Sequence, residues 1–132
     1  MKYFRGLKVW EKTHQLTLSI YRVTNEFPNE EKYGLTSQLR RSAVSIPTNL
    51  AEGCGRGSDR ELSRFVQVAM GSASEVEYLL LVCHELGYLD STVHQQLEER
   101  TTEVKRMLAS LIRKLNVKDD RGAKRRALPA DR

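Results

Sequence analysis

A chain of 132 residues, 39% apolar and 30% charged, has the balance of one globular domain and can bury about two-thirds of its unfolded surface. No unbroken run of roughly 18 apolar residues occurs, so no membrane span is expected, and the opening Met-Lys-Tyr-Phe-Arg-Gly lacks the apolar core of a signal peptide. The net charge of +5 says little about a polyanion partner, because six cations against three carboxylates in residues 117–132 supply most of it.

Residues 1–6 read as a short arm. A helix over about residues 7–27 follows, with Val9, Thr13, Leu16, Ile20, Val23 and Phe27 in heptad spacing and Trp10, His14, Leu18 and Tyr21 on a second flank. Phe27-Pro28 ends it, since the residue before a proline is steered out of helical geometry. The second helix spans about residues 32–54 on Leu35, Leu39, Ser42, Ile46, Leu50 and Gly53. Pro47 lies inside that pattern, where it has no N–H for the carbonyl of Ala43, so the helix is expected to continue and bend. Gly53, Gly55 and Gly57 are expected to close it.

Ser58-Asp59-Arg60-Glu61 is a capping box that opens a third helix over about residues 59–86. Its predicted stripe is Leu62, Phe65, Ala69, Ala73, Leu80 and Cys83, with a small-residue run, Gly71-Ser72-Ala73-Ser74, at its middle. Residues 78–83 are apolar on every side. That is more than one bundle contact needs, so Tyr78, Leu79, Leu81 and Val82 are candidates for an interface between subunits. Gly87 is placed to end this helix, and a fourth runs over about residues 90–115 on Val93, Leu97, Thr101, Val104, Leu108, Leu111 and Leu115. Periodicity is lost after Asn116. Residues 1–116 are therefore read as the folded domain and residues 117–132 as a basic, disordered tail.

Four amphipathic helices with short links predict an all-α fold, an antiparallel up-down-up-down four-helix bundle. Cys54 and Cys83 form no Cys-x-x-Cys unit and fit two reduced thiols in the cytoplasm. The chemistry-bearing patterns are sparse. A di-metal carboxylate bundle needs Glu-x-x-His on two helices, and only Glu11-Lys12-Thr13-His14 supplies one, so no metal or other cofactor is expected. Gly53-Cys-Gly-Arg-Gly57 follows a helix and matches no phosphate-cradling motif. No serine or cysteine pairs with a histidine at a useful spacing, so no catalytic residues are assigned and no enzyme is expected.

The basic residues form three groups: Arg5, Lys8 and Lys12 on the arm and first helix; Arg40 and Arg41 along the second; and Arg56, Arg60 and Arg64 around the second link. They suit either solvated ion pairs with glutamates or contact with a phosphate backbone, which needs clustered cations and no base-reading group. Register also places Glu75 where it could meet Arg40 or Arg41 across a helix pair.

Leu7-Lys-Val-Trp10, Phe27-Pro28, the segment from Tyr33-Gly-Leu-Thr to Ser45-Ile-Pro47, Asn49-Leu-Ala-Glu-Gly53, Gly71-Ser72 and Gly87-Tyr-Leu89 together resemble a bacterial four-helix bundle family. Its members were first noticed as proteins encoded by intervening sequences within 23S ribosomal RNA genes. The resemblance covers about residues 7–115 and is densest in the second helix. It implies a four-helix subunit and, as in known relatives, a ring of five. It also extends to the accessory protein of diversity-generating retroelements, a pentamer that binds nucleic acid and a reverse transcriptase. It implies no catalytic residues. The expected function is a non-enzymatic, self-assembling bundle that binds RNA or another nucleic acid through repeated basic surfaces. The alternative is a scaffold whose partner is another protein.

Overall fold

A computed structural model describes residues 3–127 of the chain, with backbone alone at 119–121 and 123–127. Four helices make up the fold: α1 Lys8–Thr24, α2 Leu35–Cys54, α3 Asp59–Glu85 and α4 Ser91–Ala127. Short 3₁₀ turns at Phe4–Gly6 and Asn29–Glu31 precede α1 and α2, and the described residues contain no strand. The contacts between neighbours run in opposite chain order. Thr17 meets Ala43 and Thr24 meets Arg40; Ser45 meets Ser72, while Gly53 lies against Leu62. Ser63 meets Asn116 and Glu77 meets Lys105. Successive helices are therefore antiparallel, as short links require.

Local chemistry sets the helix ends. The Ser58 Oγ accepts from the Glu61 N–H at 3.1 Å, and Asp90 Oδ1 accepts from the Val93 N–H at 2.8 Å, each satisfying a donor that has no partner within its own helix. At the end of α3 the Tyr88 N–H reaches back to the Cys83 carbonyl at 2.9 Å while Gly87 takes φ +83°, a reversal that any Cβ would strain. Of the three glycines expected to close α2, only Gly57 has a positive φ. Gly53 is helical and buried, and a Cβ there would lie 2.8 Å from that of Phe65. It is present for close approach of α3.

Three helix boundaries differ from the sequence expectation; α1 ends at Thr24, three residues before Phe27, where the chain passes into turns. α2 begins at Leu35, three residues late, because Glu31 in the preceding turn reaches forward and its Oε1 accepts from the Leu35 N–H at 3.1 Å. The other oxygen of Glu31 accepts from the Tyr88 hydroxyl at 3.0 Å, tying the start of α2 to the α3–α4 corner. α4 continues to Ala127, through the expected boundary at 116/117. Apolar periodicity is lost there while the helical backbone continues. Lys, Arg and Ala are good helix formers, and one Gly122 costs only about 1 kcal/mol. Of the expected tail, residues 128–132 lie outside the described residues.

Pro47 is buried and α2 runs through it without a break. The carbonyl of Ala43, which Pro47 cannot serve, accepts from the Thr17 Oγ1 on α1 at 3.2 Å. The same hydroxyl proton is shared with the Thr13 carbonyl of α1 at 2.8 Å, so the neighbouring helix offsets only part of the cost of an interior proline. The core is otherwise the predicted one, from Leu16 and Ile20 through Ile46 and Leu50 to Val104 and Leu108.

One stripe shifts. Val66, not Phe65, enters the core between Leu62 and Ala69, and Phe65 stands half-exposed. By length and composition α3 is apolar enough to cross a membrane, with a window of mean hydropathy 1.3 of which 33% is buried inside the subunit. The absence of an unbroken apolar run did not signal this. In the fold α3 packs on both α2 and α4, the place of a core helix.

Candidate nucleic-acid interface

The three basic groups meet different fates. Arg40 turns inward across the α1–α2 seam. Its Nε donates to Thr24 Oγ1 at 2.7 Å, and one terminal nitrogen donates to the Tyr21 carbonyl and to Asn25 Oδ1, both at 3.1 Å. The guanidinium carbon sits 4.7 Å from the centroid of the Tyr21 ring, close enough for a cation–π contact. Arg40 is thus a structural staple that engages three of its five N–H donors across the seam.

Arg41 is exposed and lines an open hollow of about 320 Å³ with Gln38, Ser42, Ser45, Ser72 and Glu75. Arg41 and Glu75 share this hollow without an ion pair between them, so the pairing expected from register does not form. The small-residue run acts here through Ser72, whose Oγ lies 2.8 Å from that of Ser45. Gly71 faces open space.

The rim between α2 and α3 is where cations gather. The guanidinium carbons of Arg56 and Arg64 lie 5.0 and 5.1 Å from the Phe65 centroid. Each also pairs with a carboxylate of its own helix or link: Arg56 with Glu52 at 2.8 Å and Arg64 with Glu61 at 3.3 Å. These pairs are solvent-exposed, worth at most about 1 kcal/mol and easily exchanged for phosphate. Arg60, exposed on the next turn, has no carboxylate within 4.0 Å among the described residues.

From α4, Lys118 reaches Asp59 at 3.5 Å, so the fourth helix closes the same rim. It then continues roughly 14 Å beyond the start of α3. On the arm and α1, Arg5 and Lys8 are exposed and Lys12 pairs with Glu103 at 3.5 Å.

The four residues proposed for a subunit interface divide. Tyr78 and Leu81 are 64% and 40% exposed and Val82 is half-buried, but Leu79 is 4% exposed and belongs to the core. The sequence erred on Leu79 because an all-apolar run hides which positions point inward. Exposed Val68 and Leu86 extend the outward apolar face of α3.

Among the described residues no cluster of three or more His, Cys, Asp or Glu could hold a metal ion. His14 stacks on Trp10 at 4.9 Å, as its position beside that ring suggested. His84 and His94 stack at 4.4 Å across the α3–α4 corner, a pairing the sequence did not reveal. His84 Nδ1 bonds the Leu89 carbonyl at 3.0 Å, whereas His94 Nε2 is buried without a hydrogen-bond partner. Cys54 and Cys83 are both buried and form no disulfide. Burial, and secondarily the charge of Glu31, pushes the Cys83 thiol up to about 11, so it stays protonated and unreactive at neutral pH. Donation to Glu31 likewise raises the Tyr88 phenol above its ordinary value.

The family described as 23S rRNA-intervening sequence protein matches residues 5–110. Among solved structures, the chain is similar to a protein of unknown function from the S23 ribosomal protein family of Bacteroides thetaiotaomicron. The TM-score is 0.71 at 22% identity, over 79% of this chain and 97% of that one. At that identity the likeness speaks for the fold alone. No curated protein matches the sequence.

Proposed function

The chain belongs to the 23S rRNA-intervening sequence protein family, and from that premise we propose a non-enzymatic helical bundle that assembles with its own copies and binds RNA or another nucleic acid. The observation that carries this reading is the α2–α3 rim. Arg56 in the link and Arg60 and Arg64 on the first turns of α3 gather there, Arg56 and Arg64 over the Phe65 ring, with Lys118 of α4 paired to Asp59 of the same rim. Loosely held cations around a ring suit a phosphate backbone, and every copy in a symmetric assembly repeats the cluster.

Assembly is supported by the outward apolar face of α3, with Tyr78, Leu81 and Val82 at its centre. A ring of five is the expected state, and light scattering at micromolar concentration measures it; a monomer would count against assembly. The same face favours a second reading, docking of a different protein. Salt-dependent mobility shifts separate the two. Under the first, log affinity falls linearly with log salt by about 0.7–0.9 per phosphate neutralised. Absence of any shift at low salt would remove it. Buried, protonated Cys83 fits a reducing compartment such as the cytoplasm.

A further inference from the structure

Beside the arginine rim, α3 and α4 enclose a hollow of about 230 Å³ lined by Arg60, Glu61, Ser63, Arg64, Gln67 and Asn116. Its floor is a buried serine that orients two amides. Ser63 Oγ donates to Asn116 Oδ1 at 3.0 Å and accepts from Gln67 Nε2 at 3.4 Å. Each amide is thereby fixed by one end. Asn116 keeps its Nδ2 donors and Gln67 keeps its Oε1 acceptor for a ligand. Arg60 and Arg64 stand one turn apart at the wall, and Glu61 is engaged by Arg64.

A surface that only followed a phosphate backbone would need the cations and not the two oriented amides. A free amide donor and a free amide acceptor lining one hollow with two guanidiniums match the polar edge of a nucleobase and its phosphate. In a duplex those edges are paired and stacked and cannot enter a hollow, whereas an unpaired base can be splayed out, hydrogen-bonded on its edge and stacked on an arginine plane. We infer that this hollow seats one unstacked nucleotide of a single-stranded nucleic acid: Arg60 and Arg64 take the phosphate, and Asn116 and Gln67 read the base edge. This inference rests on the nucleic-acid reading above.

The test uses the full chain and fluorescence anisotropy with a labelled mixed-sequence oligonucleotide, as RNA and as DNA, each alone and annealed to its complement. Single strands are expected to bind about tenfold or more tightly than the duplexes. Asn116→Ala and Gln67→Ala should each weaken single-strand binding by about five- to tenfold while leaving the salt slope unchanged. Arg60→Ala should instead lower that slope by about 0.7. Both amides are exposed, and thermal melting confirms that each variant is folded. Duplex binding as tight as single-strand binding, or amide variants with unchanged affinity, would overturn the nucleotide seat and leave simple phosphate contact standing. Binding of no nucleic acid at low salt would overturn both readings.

Discussion

Arg40 and Arg60 carry the same guanidinium into opposite situations. In the α1–α2 seam, Arg40 gives three of its five donors to Thr24, Tyr21 and Asn25 and sits over the Tyr21 ring. On the α2–α3 rim, Arg60 is exposed beside a polar hollow and two ring-stacked neighbours. A cation serves a ligand only with the hydrogen-bonding capacity that folding leaves over. Counting charges along α2 and α3 would rank the two equally. Their partners separate them into a staple and a contact.

The sharpest way to strain this contrast is inside the seam. Thr17→Val removes the donor to Ala43 beside Pro47 and should cost about 1–3 kcal/mol in urea unfolding, the penalty of an orphaned buried carbonyl. In a Pro47→Ala background the new N–H of residue 47 serves that carbonyl, so the same change should cost much less. An equal cost in both backgrounds would show that Thr17 does not compensate the proline. Gly53→Ala should destabilise by about 1–2 kcal/mol, overpacking against Phe65 and Leu62 outweighing the gain in helix propensity.

Arg40→Ala should cost about 1–2 kcal/mol and leave the salt slope of nucleic-acid binding unchanged. A change in slope would move Arg40 from staple to contact. The α3–α4 corner adds a pH dependence. Cys83 and Tyr88 both hold their protons more tightly when folded, so their contribution is fully present below the unfolded thiol value of 9.0. It is lost as pH rises through about 11. Tyr88→Phe should flatten the upper part of that decline. The smallest effect on stability belongs to Arg60→Ala, expected within about 0.5 kcal/mol despite its effect on the salt slope. Large destabilisation there would end the contrast with Arg40.

Much of this fold was legible because heptad spacing, a capping box and glycine after a helix are local signals. Ser58, Gly87 and the apolar registers of α1, α2 and α4 each act within a few residues of themselves. Misreadings occurred where local signals were silent or overlooked. Phe65 and Val66 are equally apolar neighbours, and Val66 is the one that continues the alternating four-and-three spacing of Leu62, Ala69, Ala73, Val76, Leu80 and Cys83. Leu79 could not be told from Leu81 within a run that is apolar throughout. The end of α4 was placed at the end of its periodicity, although periodicity reports burial and helix formation needs only compatible residues. Of the candidate site, the arginines at 56, 60 and 64 were visible as a cluster, while the oriented amides of Gln67 and Asn116 were not, being 49 positions apart in the chain.

By itself, then, the sequence determined the number of the helices, their antiparallel order and most of the buried face, because those depend on spacing and turn chemistry within short windows. Tertiary structure alone decided which polar groups are spent and which remain available. Thr17 reaches the carbonyl that Pro47 cannot serve, Arg40 gives three of its donors to α1 and the link after it, and Ser63 holds one end of each of two amides. Each depends on a partner from another helix, and hydrogen-bond satisfaction is a property of positions in space that no window along the chain contains.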